Sequence, residues 1–487
     1  MKRVCLAAAI LFLGVGAAQA ADVLAPPQWS SDQIRAARPI AAAPALVLSF
    51  ERTTIAGKAA PVTVSERVTL TASFTFVESP DQDLLTDHAL CRVLMWKPSS
   101  AALHSDSCYA LVAFRIYEGA NRRLLHRILE GVKAAPETLN PYWDEAELGY
   151  QETPSDPLTR TATPEGADYR LGDVLAVRLR GPMTTVSADE MHEFVRDLAN
   201  RIPLHPQVRR YLARGLQLPT TIEIAGFRNG QPYSQTITIK SVQRQTAAYP
   251  LPAGLTSDLV TSDDARETPR GKGLRAALAV ASGENRAPSA ATLIAAYGDD
   301  VKAGKPVNAL LDFLELTQLE GPLFQTDAGR ALLTEDIKPT IQAVLADPAA
   351  VQFWRASGIA GGGSGDREAA AKYLAATNLD DLPFGTFRYV TFANLIRGAG
   401  DTSKWDPAIF RSMPRPEDGV WTHIARYPWG SNAYKDLGDT YFASYDMTDA
   451  WLAYDLGRSV DRQWRTGVIK VLSDFEDRLP VTQPDFF

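Results

Sequence analysis

The feature that most constrains this chain is a change of hydrophobic period along its length. From about residue 46 to residue 242, apolar residues recur at every second position; after about residue 289 they recur at helical spacing. A period of two suits a strand buried on one face, and a period of 3.6 suits a helix buried along a stripe. One segment cannot satisfy both, so the two halves are expected to fold as different architectures. A chain of 487 residues is also too long for one core and predicts two or three domains.

In the first half, "VTLTASFTF" reads as one half-buried antiparallel strand. Val68, Leu70, Ala72, Phe74 and Phe76 would point one way, and Thr69, Thr71, Ser73 and Thr75 the other. Residues 46–53, 91–96 and 173–181 read the same way. Asn229-Gly230 predicts a tight hairpin turn, with Ile222 and Ile224 on one arm facing Ile237 and Ile239 on the other. Two helices interrupt the strands. "CYALVAFRIYEGANRRLLHRILEGV" carries Val112, Ile116, Leu124, Leu125, Ile128 and Leu129 at helical spacing, and "SADEMHEFVRDLANRI" follows a helix-capping Ser187 with an acidic first turn. Residues 21–250 are thus expected to form an α+β domain, a curved antiparallel sheet with helices packed on one side.

Residues 251–288 are polar and punctuated and read as a linker, in which "LRAALAVA" can form a short helix. Residues 289–487 read as all-helical. "SAATLIAAYGDDVKAGKPVNALLDFLELTQLEG" is a helix pair turning at Gly304-Lys305-Pro306. Further helical segments are "TIQAVLADPAAVQFWRAS", "DREAAAKYLAAT", "FGTFRYVTFANLIRGA" and a closing "RQWRTGVIKVLSDFEDRL".

The first twenty residues, "MKRVCLAAAILFLGVGAAQA", join a basic start (Lys2, Arg3) to a short apolar run and an Ala18-Gln19-Ala20 cleavage site. That is the pattern of a secretory signal peptide, and the run is shorter than the roughly 18–20 apolar residues a membrane span needs. Cys5 lies well ahead of the cleavage site, so a lipidated N-terminal cysteine is not expected. No later segment is apolar enough over a sufficient length to cross a membrane. Residues 1–20 take away Lys2 and Arg3 and no acid, so their removal moves the formal net charge from −7 to −9. That charge argues against a nucleic-acid partner, which needs a basic surface, and against tight binding to an anionic bilayer. The expected location is exported, in the periplasm or beyond. Cys91 and Cys108 then remain, an even count that suggests a disulfide in an oxidising compartment. The other reading of the two is a pair of unlinked buried thiols.

The stretch "AYKDLGDTYFASYDMTDAWLAYDLG" resembles one tetratricopeptide repeat. Tyr434, Leu437, Gly438 and Tyr441 match the first helix; Ala450, Tyr454 and Gly457 match the second, with Thr448 as its cap. Arg462 stands where the closing proline is usual, so the match covers one repeat. A weaker match upstream shares Gly304, Ala309 and Phe313, but has Tyr297 and Asp300 where the motif has glycine and an aromatic. The resemblance implies a helix pair with a partner-binding surface, on which Asn432, Lys435, Asp439 and Phe442 would face a groove. The first domain's order of elements is similar to the half-barrel of bacterial periplasmic lipoprotein carriers, which implies a greasy inner face able to hold acyl chains.

No catalytic motif survives inspection. His192-Glu193 lacks the second histidine of a zinc protease helix, because Arg196 stands there, and "GIAGGGSGDRE" has neither a phosphate-loop ending nor a nucleophile elbow. The six histidines (His88, His104, His126, His192, His205 and His423) form no local metal set, and no cofactor is implied. Asp263-Asp264 and Asp380-Asp381 read as loop acids. Trp421, His423, Arg426 and Trp429 cluster just before the repeat, as aromatic and arginine hot spots do and as helical cores also do. The reading is an exported, non-catalytic protein that binds a protein or peptide on its helical domain. Carriage of a lipid or lipoprotein by the sheet is the second reading, and a hydrolase whose triad assembles from distant positions is the third.

Overall fold

The computed structural model describes residues 29–38, 41–129, 140–228, 231–259, 267–306, 308–309, 312–313, 316, 327–331, 335, 337–346, 367–376, 403–412, 415–460 and 467–487. The signal sequence, the Asn229-Gly230 turn, the glycine-rich 358–366 and the helical segment 384–399 lie outside these residues. The fold is α+β. It divides into two compact units, one running to Leu259 and taking in Lys470–Phe487, the other spanning Val260–Ile469.

The first unit is built on one twelve-stranded sheet. Short helix α1 (Ser31–Ala37) precedes a meander of β1 (Ala43–Ala56), β2 (Val62–Leu70), β3 (Phe74–Glu78), β4 (Asp83–Asp87), β5 (Arg92–Trp96) and β6 (Ala102–Ser107). Helices α2 (Cys108–Leu129) and α3 (Pro141–Leu148) lead to β7 (Thr159–Thr163), β8 (Gly166–Leu171) and β9 (Val174–Arg180). After β10 (Thr184–Thr185), α4 (Ala188–Arg201), α5 (Pro206–Gly215) and β11 (Gln217–Leu218), the hairpin β12 (Thr221–Arg228) and β13 (Gln231–Ala247) returns the chain to pair with β1. The pairings are antiparallel except that of β14 (Thr256–Ser257) with β6.

The register separates two faces. Leu46, Leu48, Phe50, Val68, Leu70, Val77, Ile237, Ile222, Leu179, Val177 and Tyr169 form one continuous apolar face, and Met191, Phe194, Leu198, Trp143, Val208 and Leu212 from α3, α4 and α5 pack into it. Each helix starts where its sequence dictates. Ser187 and Glu190 close a capping box at α4, Asn140 caps α3 ahead of Pro141, and the His205 ring accepts from Gln207 N ahead of Pro206. On the opposite face β1 and β2 carry Ser49, Glu51, Thr53, Ser65 and Arg67, with buried Ala45 and Val47 at the start of β1. Over β3–β6 that face is apolar, and Ile34 of α1 with Leu251 and Leu255 covers it.

The stretch expected to be one strand is two. Thr71 Oγ1 accepts from Phe74 N at 2.9 Å, and Thr71 N donates to Phe74 O at 3.0 Å, turning the chain between β2 and β3. Leu70 then pairs with Thr75, so Phe74 and Phe76 face away from Val68 and Leu70 and enter the core beneath α1. Alternation survives such a turn because one tight reversal only swaps faces. The expectation of helices on one side alone fails for the same reason: those phenylalanines need their own cover. In the hairpin, Ile222 pairs with Ile237, but Ile224 pairs with Gln235, while Ile239 lies beyond the last paired residue of β12.

In the second unit, the helix within the expected linker is longer than its apolar core. It runs Pro269–Ala281, and Gly273 lies so close to Trp421 that an added Cβ would stand 2.6 Å from the Trp421 carbonyl oxygen. The repeat-like stretch is a helix pair, Ser431–Ala443 and Met447–Val460. Gly438 permits their contact, since a Cβ there would lie 2.2 Å from the Tyr454 ring. Asp446, not Thr448, caps the second helix, its Oδ1 accepting from Asp449 N at 3.1 Å; a carboxylate one residue before the helix reaches that amide, whereas Thr448 is already inside it. The closing helix, Gly467–Thr482, was expected to end the helical domain, but from Lys470 onward it belongs to the first unit, where Leu479 and Phe486 join Val112 and Ala199 in one cluster. Among the described residues no helix is long and apolar enough to cross a membrane.

Cys91 and Cys108 are disulfide-bonded, with Cα atoms 5.2 Å apart across 17 positions of chain. Replacing both by serine is expected to cost about 3 kcal/mol in denaturant unfolding under oxidising conditions; no change would show that the loop is held by packing alone. Gly438→Ala is expected to destabilise the second unit by roughly 1–3 kcal/mol. Gly298→Ala, at a helical position with nothing within 4 Å of an added Cβ, should stabilise it by about 0.5–1 kcal/mol. The two unfolding midpoints should move in opposite directions.

Candidate functional site

The richest corner of the first unit lies where α2, α4 and α5 meet residues 484–487. A single 3₁₀ turn, Pro484–Phe486, delivers Phe486 into the protein, where it is 5 % exposed. The guanidinium carbons of Arg115 and Arg209 stand 4.7 and 5.2 Å from the centre of its ring, within cation–π range. Asn200 Nδ2 donates to Phe486 O at 3.4 Å, Asp485 Oδ2 lies 3.4 Å from Arg209 Nη2, and the Phe487 ring is 5.6 Å from Tyr109. Beside this segment is a pocket of about 80 Å³, with Leu84, Val93, the Cys91–Cys108 bridge, Leu111 and Phe486 among its lining. Burial, then the neighbouring Arg209, lowers Arg115 to about 9. Burial lowers Arg209 to about 10, so both stay charged at neutral pH.

Several other buried charges are held by ion pairs and hydrogen bonds. Arg201 of α4 forks onto Asp197, both contacts 2.7 Å, and reaches Glu66 of β2 at 2.8 Å. Burial pushes the Glu66 carboxyl up, but Arg201 and Arg52 outweigh it and hold the group below its usual range. Asp87, fully buried, accepts from Arg38, Tyr249 and the amides of Ala89 and Leu90. Arg122 ties α2 to α3 through Glu118, Asp144 and Glu147 at 2.7–2.9 Å, and His126 joins Asp144 at 2.6 Å. Such sets tie elements together, each of these cations facing its anions.

One arrangement has the order of a triad. His88 Nε2 is 3.2 Å from Thr75 Oγ1, and its Nδ1 is 4.0 Å from Glu193. Arg196 intervenes, pairing with Glu193 and donating to His88 Nδ1. A guanidinium cannot accept, so Nδ1 must hold the lone pair and Nε2 the proton, and Nε2 has no capacity to take a proton from Thr75. Burial, then Arg196, holds His88 down to about 3. Among the described residues no three His, Cys, Asp or Glu side chains are grouped to hold a metal.

The outward side of α2 is unusual. Leu111, Phe114, Tyr117, Leu124, Leu125 and Ile128 are exposed, Ile128 at 65 % and Leu124 at 49 %. They recur at positions three, four and seven apart and form one stripe along the helix. Sequence reasoning set Leu124, Leu125, Ile128 and Leu129 at one helical spacing with Val112 and Ile116, in a helix expected to pack on the sheet. Only the N-terminal part of that set, Val112 and Ile116, packs inward. The sign available in the sequence was that α2 is apolar over more of its circumference than one buried face uses.

The predicted partner-binding residues of the second unit are spread between core and surface. Trp421 and His423 are buried. Trp421 donates to Tyr441 OH at 2.9 Å, and burial, then Arg426, lowers His423 to about 4. Arg426 is exposed over the Tyr427 ring, and Trp429 is half-buried. Lys435 pairs with Asp439 at 2.6 Å, Asp439 also accepts from Tyr454 OH at 2.9 Å, and the Phe442 ring is 6.2 Å from that of Trp451. The Asn432 side chain lies outside the described residues. Arg115, Arg209 and Phe486 drew no notice in the sequence, because they are far apart in it.

No family model matches the chain, and no curated protein matches it. Among solved structures, one with a resemblance is titled "Lipid-protein interactions in lipovitellin", at 9 % identity and a TM-score of 0.15, covering 86 % of this chain. The chain spans 53 % of that structure's length. At this TM-score the likeness carries no argument.

His104 sits between Asp106, 3.1 Å away, and Asp258, 3.1 Å away, joining β6 to the chain after β14. Hydrogen bonds to Asp106 and Asp258 raise it to about 10. The folded value lies above the unfolded one, so its contribution is complete below about pH 6.5. It declines above that and is lost as pH rises through about 10. The wild-type unfolding midpoint should fall over this window more than that of His104→Gln; parallel curves would remove His104 from the account.

Proposed function

We propose that this protein is an exported binding or scaffolding protein that holds a partner protein or peptide and carries out no chemistry of its own. The observation that supports this reading is the exposed apolar stripe of α2. Large contiguous apolar surface is costly to leave in water and marks interaction sites. Six exposed side chains on one rigid helix, tied to α3 by the Arg122 cluster, form a pre-organised docking face. In the second unit, Lys435, Asp439 and Phe442 of the repeat-like helix pair, with Arg426 and Trp429, are a second candidate surface, in keeping with the tetratricopeptide resemblance. The signal-like start, which is in keeping with export to the periplasm or beyond, fits the cysteine pair.

Carriage of a lipid or lipoprotein on the sheet has less support. The apolar face of the sheet is filled by side chains of α3, α4 and α5. The pocket of about 80 Å³ beside the disulfide is well below the roughly 300–1,000 Å³ of small-molecule sites, and the open depression of about 410 Å³ on the sheet is lined by Glu51, Glu66, Arg67, Glu78 and Lys240, a poor bed for acyl chains. The hydrolase reading loses its best arrangement because Arg196 takes the His88 lone pair.

The test is a photo-crosslinking residue at Leu125 in the exported protein, irradiated in the intact cell envelope, with the same residue at exposed Val62 as a control. One protein of defined mass, captured from Leu125, absent from the control and abolished by Ile128→Asp, is the expected result. Such a surface change should leave the thermal midpoint nearly unchanged, within about 0.5 kcal/mol of stability. Capture of lipid alone would replace this reading with the carrier, and identical products from both positions would end it.

A further inference from the structure

Arg209 is 1 % exposed, yet its Nε and Nη1 have no hydrogen-bond partner. Its Nη2 donates to Gly149 O, and the nearest carboxylate, Asp485, stands 3.4 Å away. A charge-assisted bond closes to about 2.7–2.9 Å. An isolated buried cation with two idle N–H groups is costly, so the slot is only part-satisfied by the segment that fills it. Arg115 lies alongside, close enough that a Cβ on Gly149 would be 3.2 Å from Arg115 and 3.6 Å from Arg209. The two guanidiniums, the Asn200 amide and an apolar floor of Val112, Ala199 and Leu479 define a complementary ligand: a carboxylate followed directly by aromatic rings.

We propose that this slot is a recognition site for an acidic–aromatic–aromatic peptide segment of a partner protein, and that Asp485, Phe486 and Phe487 occupy it as an internal competitor. The carboxylate of a better-seated ligand takes the idle Arg209 N–H groups. Its first ring lies between Arg115 and Arg209, and its second reaches Tyr109 and the pocket beside the disulfide. Because the competitor is tethered, it acts at an effective concentration on the order of millimolar, so the slot is closed to weak ligands and opens to a partner that binds more tightly or draws the segment away. The inference does not rest on the α2 stripe; it concerns the other side of that helix and stands or falls separately.

The test is fluorescence anisotropy with the labelled peptide VTQPDFF, which copies residues 481–487, on full-length chains. Wild type should bind it weakly. Phe486→Ala, which weakens the internal competitor, should bind at least tenfold more tightly. The peptides VTQPNFF and VTQPDAA should each lose about tenfold on that same chain, and these controls need no change to the protein. If Phe486→Ala does not give a cooperative unfolding transition, Asp485→Asn takes its place. Failure of a folded, competitor-weakened chain to bind VTQPDFF would overturn the proposal, as would equal binding of all three peptides.

Discussion

Helix α4 lying along the apolar face of the sheet is the contact on which the rest of the first unit depends. Met191, Phe194 and Leu198 enter the face formed by β1, β2, β13, β12 and β9, and the same helix turns its charged residues outward from that contact in three directions. Arg201, itself held by Asp197, engages Glu66 on β2, Arg196 engages His88 beyond β4, and the polar Asn200 meets residue 486. Apolar packing fixes the helix, and the position of the helix decides which ions can meet. The ion clusters therefore follow from the core; they do not create it, in keeping with the small net gain expected of paired buried charges.

This ordering explains why so many of the described titratable residues are engaged with their neighbours. A catalytic group needs an unfilled valence toward a ligand, whether a lone pair, a proton or an open position. Asp87, Glu66, Asp197, Asp144 and His88 have each spent theirs on a neighbouring guanidinium, hydroxyl or amide. Arg209 is different. It is buried among α3, α5 and residues 484–487, and its fork points partly at nothing. Two of its N–H groups have no partner beside a segment whose carboxylate stands 3.4 Å away, and that is what separates it from the paired clusters.

The exposed side of α2 obeys the same logic for apolar groups. The helix has one face committed to Ala199 of α4 and to Leu479 and Phe486 near the chain's end, and a second side, from Leu111 to Ile128, that carries exposed apolar side chains. A helix apolar on two sides is built to lie between two bodies. One of them is the sheet unit itself, and the other is what the proposed docking face would meet.

The sequence by itself determined the local elements. The period of two over residues 46–242 and the helical period after 289 set strands and helices, because periodicity is read within a few residues. Ser187 and Gly438 likewise carry their meaning locally, as a cap and as a close approach. Tertiary structure decided what depends on direction and on distant partners. The Thr71 turn sends Phe74 and Phe76 to the opposite face from Leu70, although alternation runs unbroken through it. Trp421 and His423 look like a hot spot in the sequence, but are buried by packing that alternation cannot report. The slot is assembled from Tyr109, Arg115, Asn200, Arg209 and Phe486, which no spacing links. Only the return of the last helix to the first unit brings them together, because burial of that helix's apolar side depends on where α2 and α4 have already been placed.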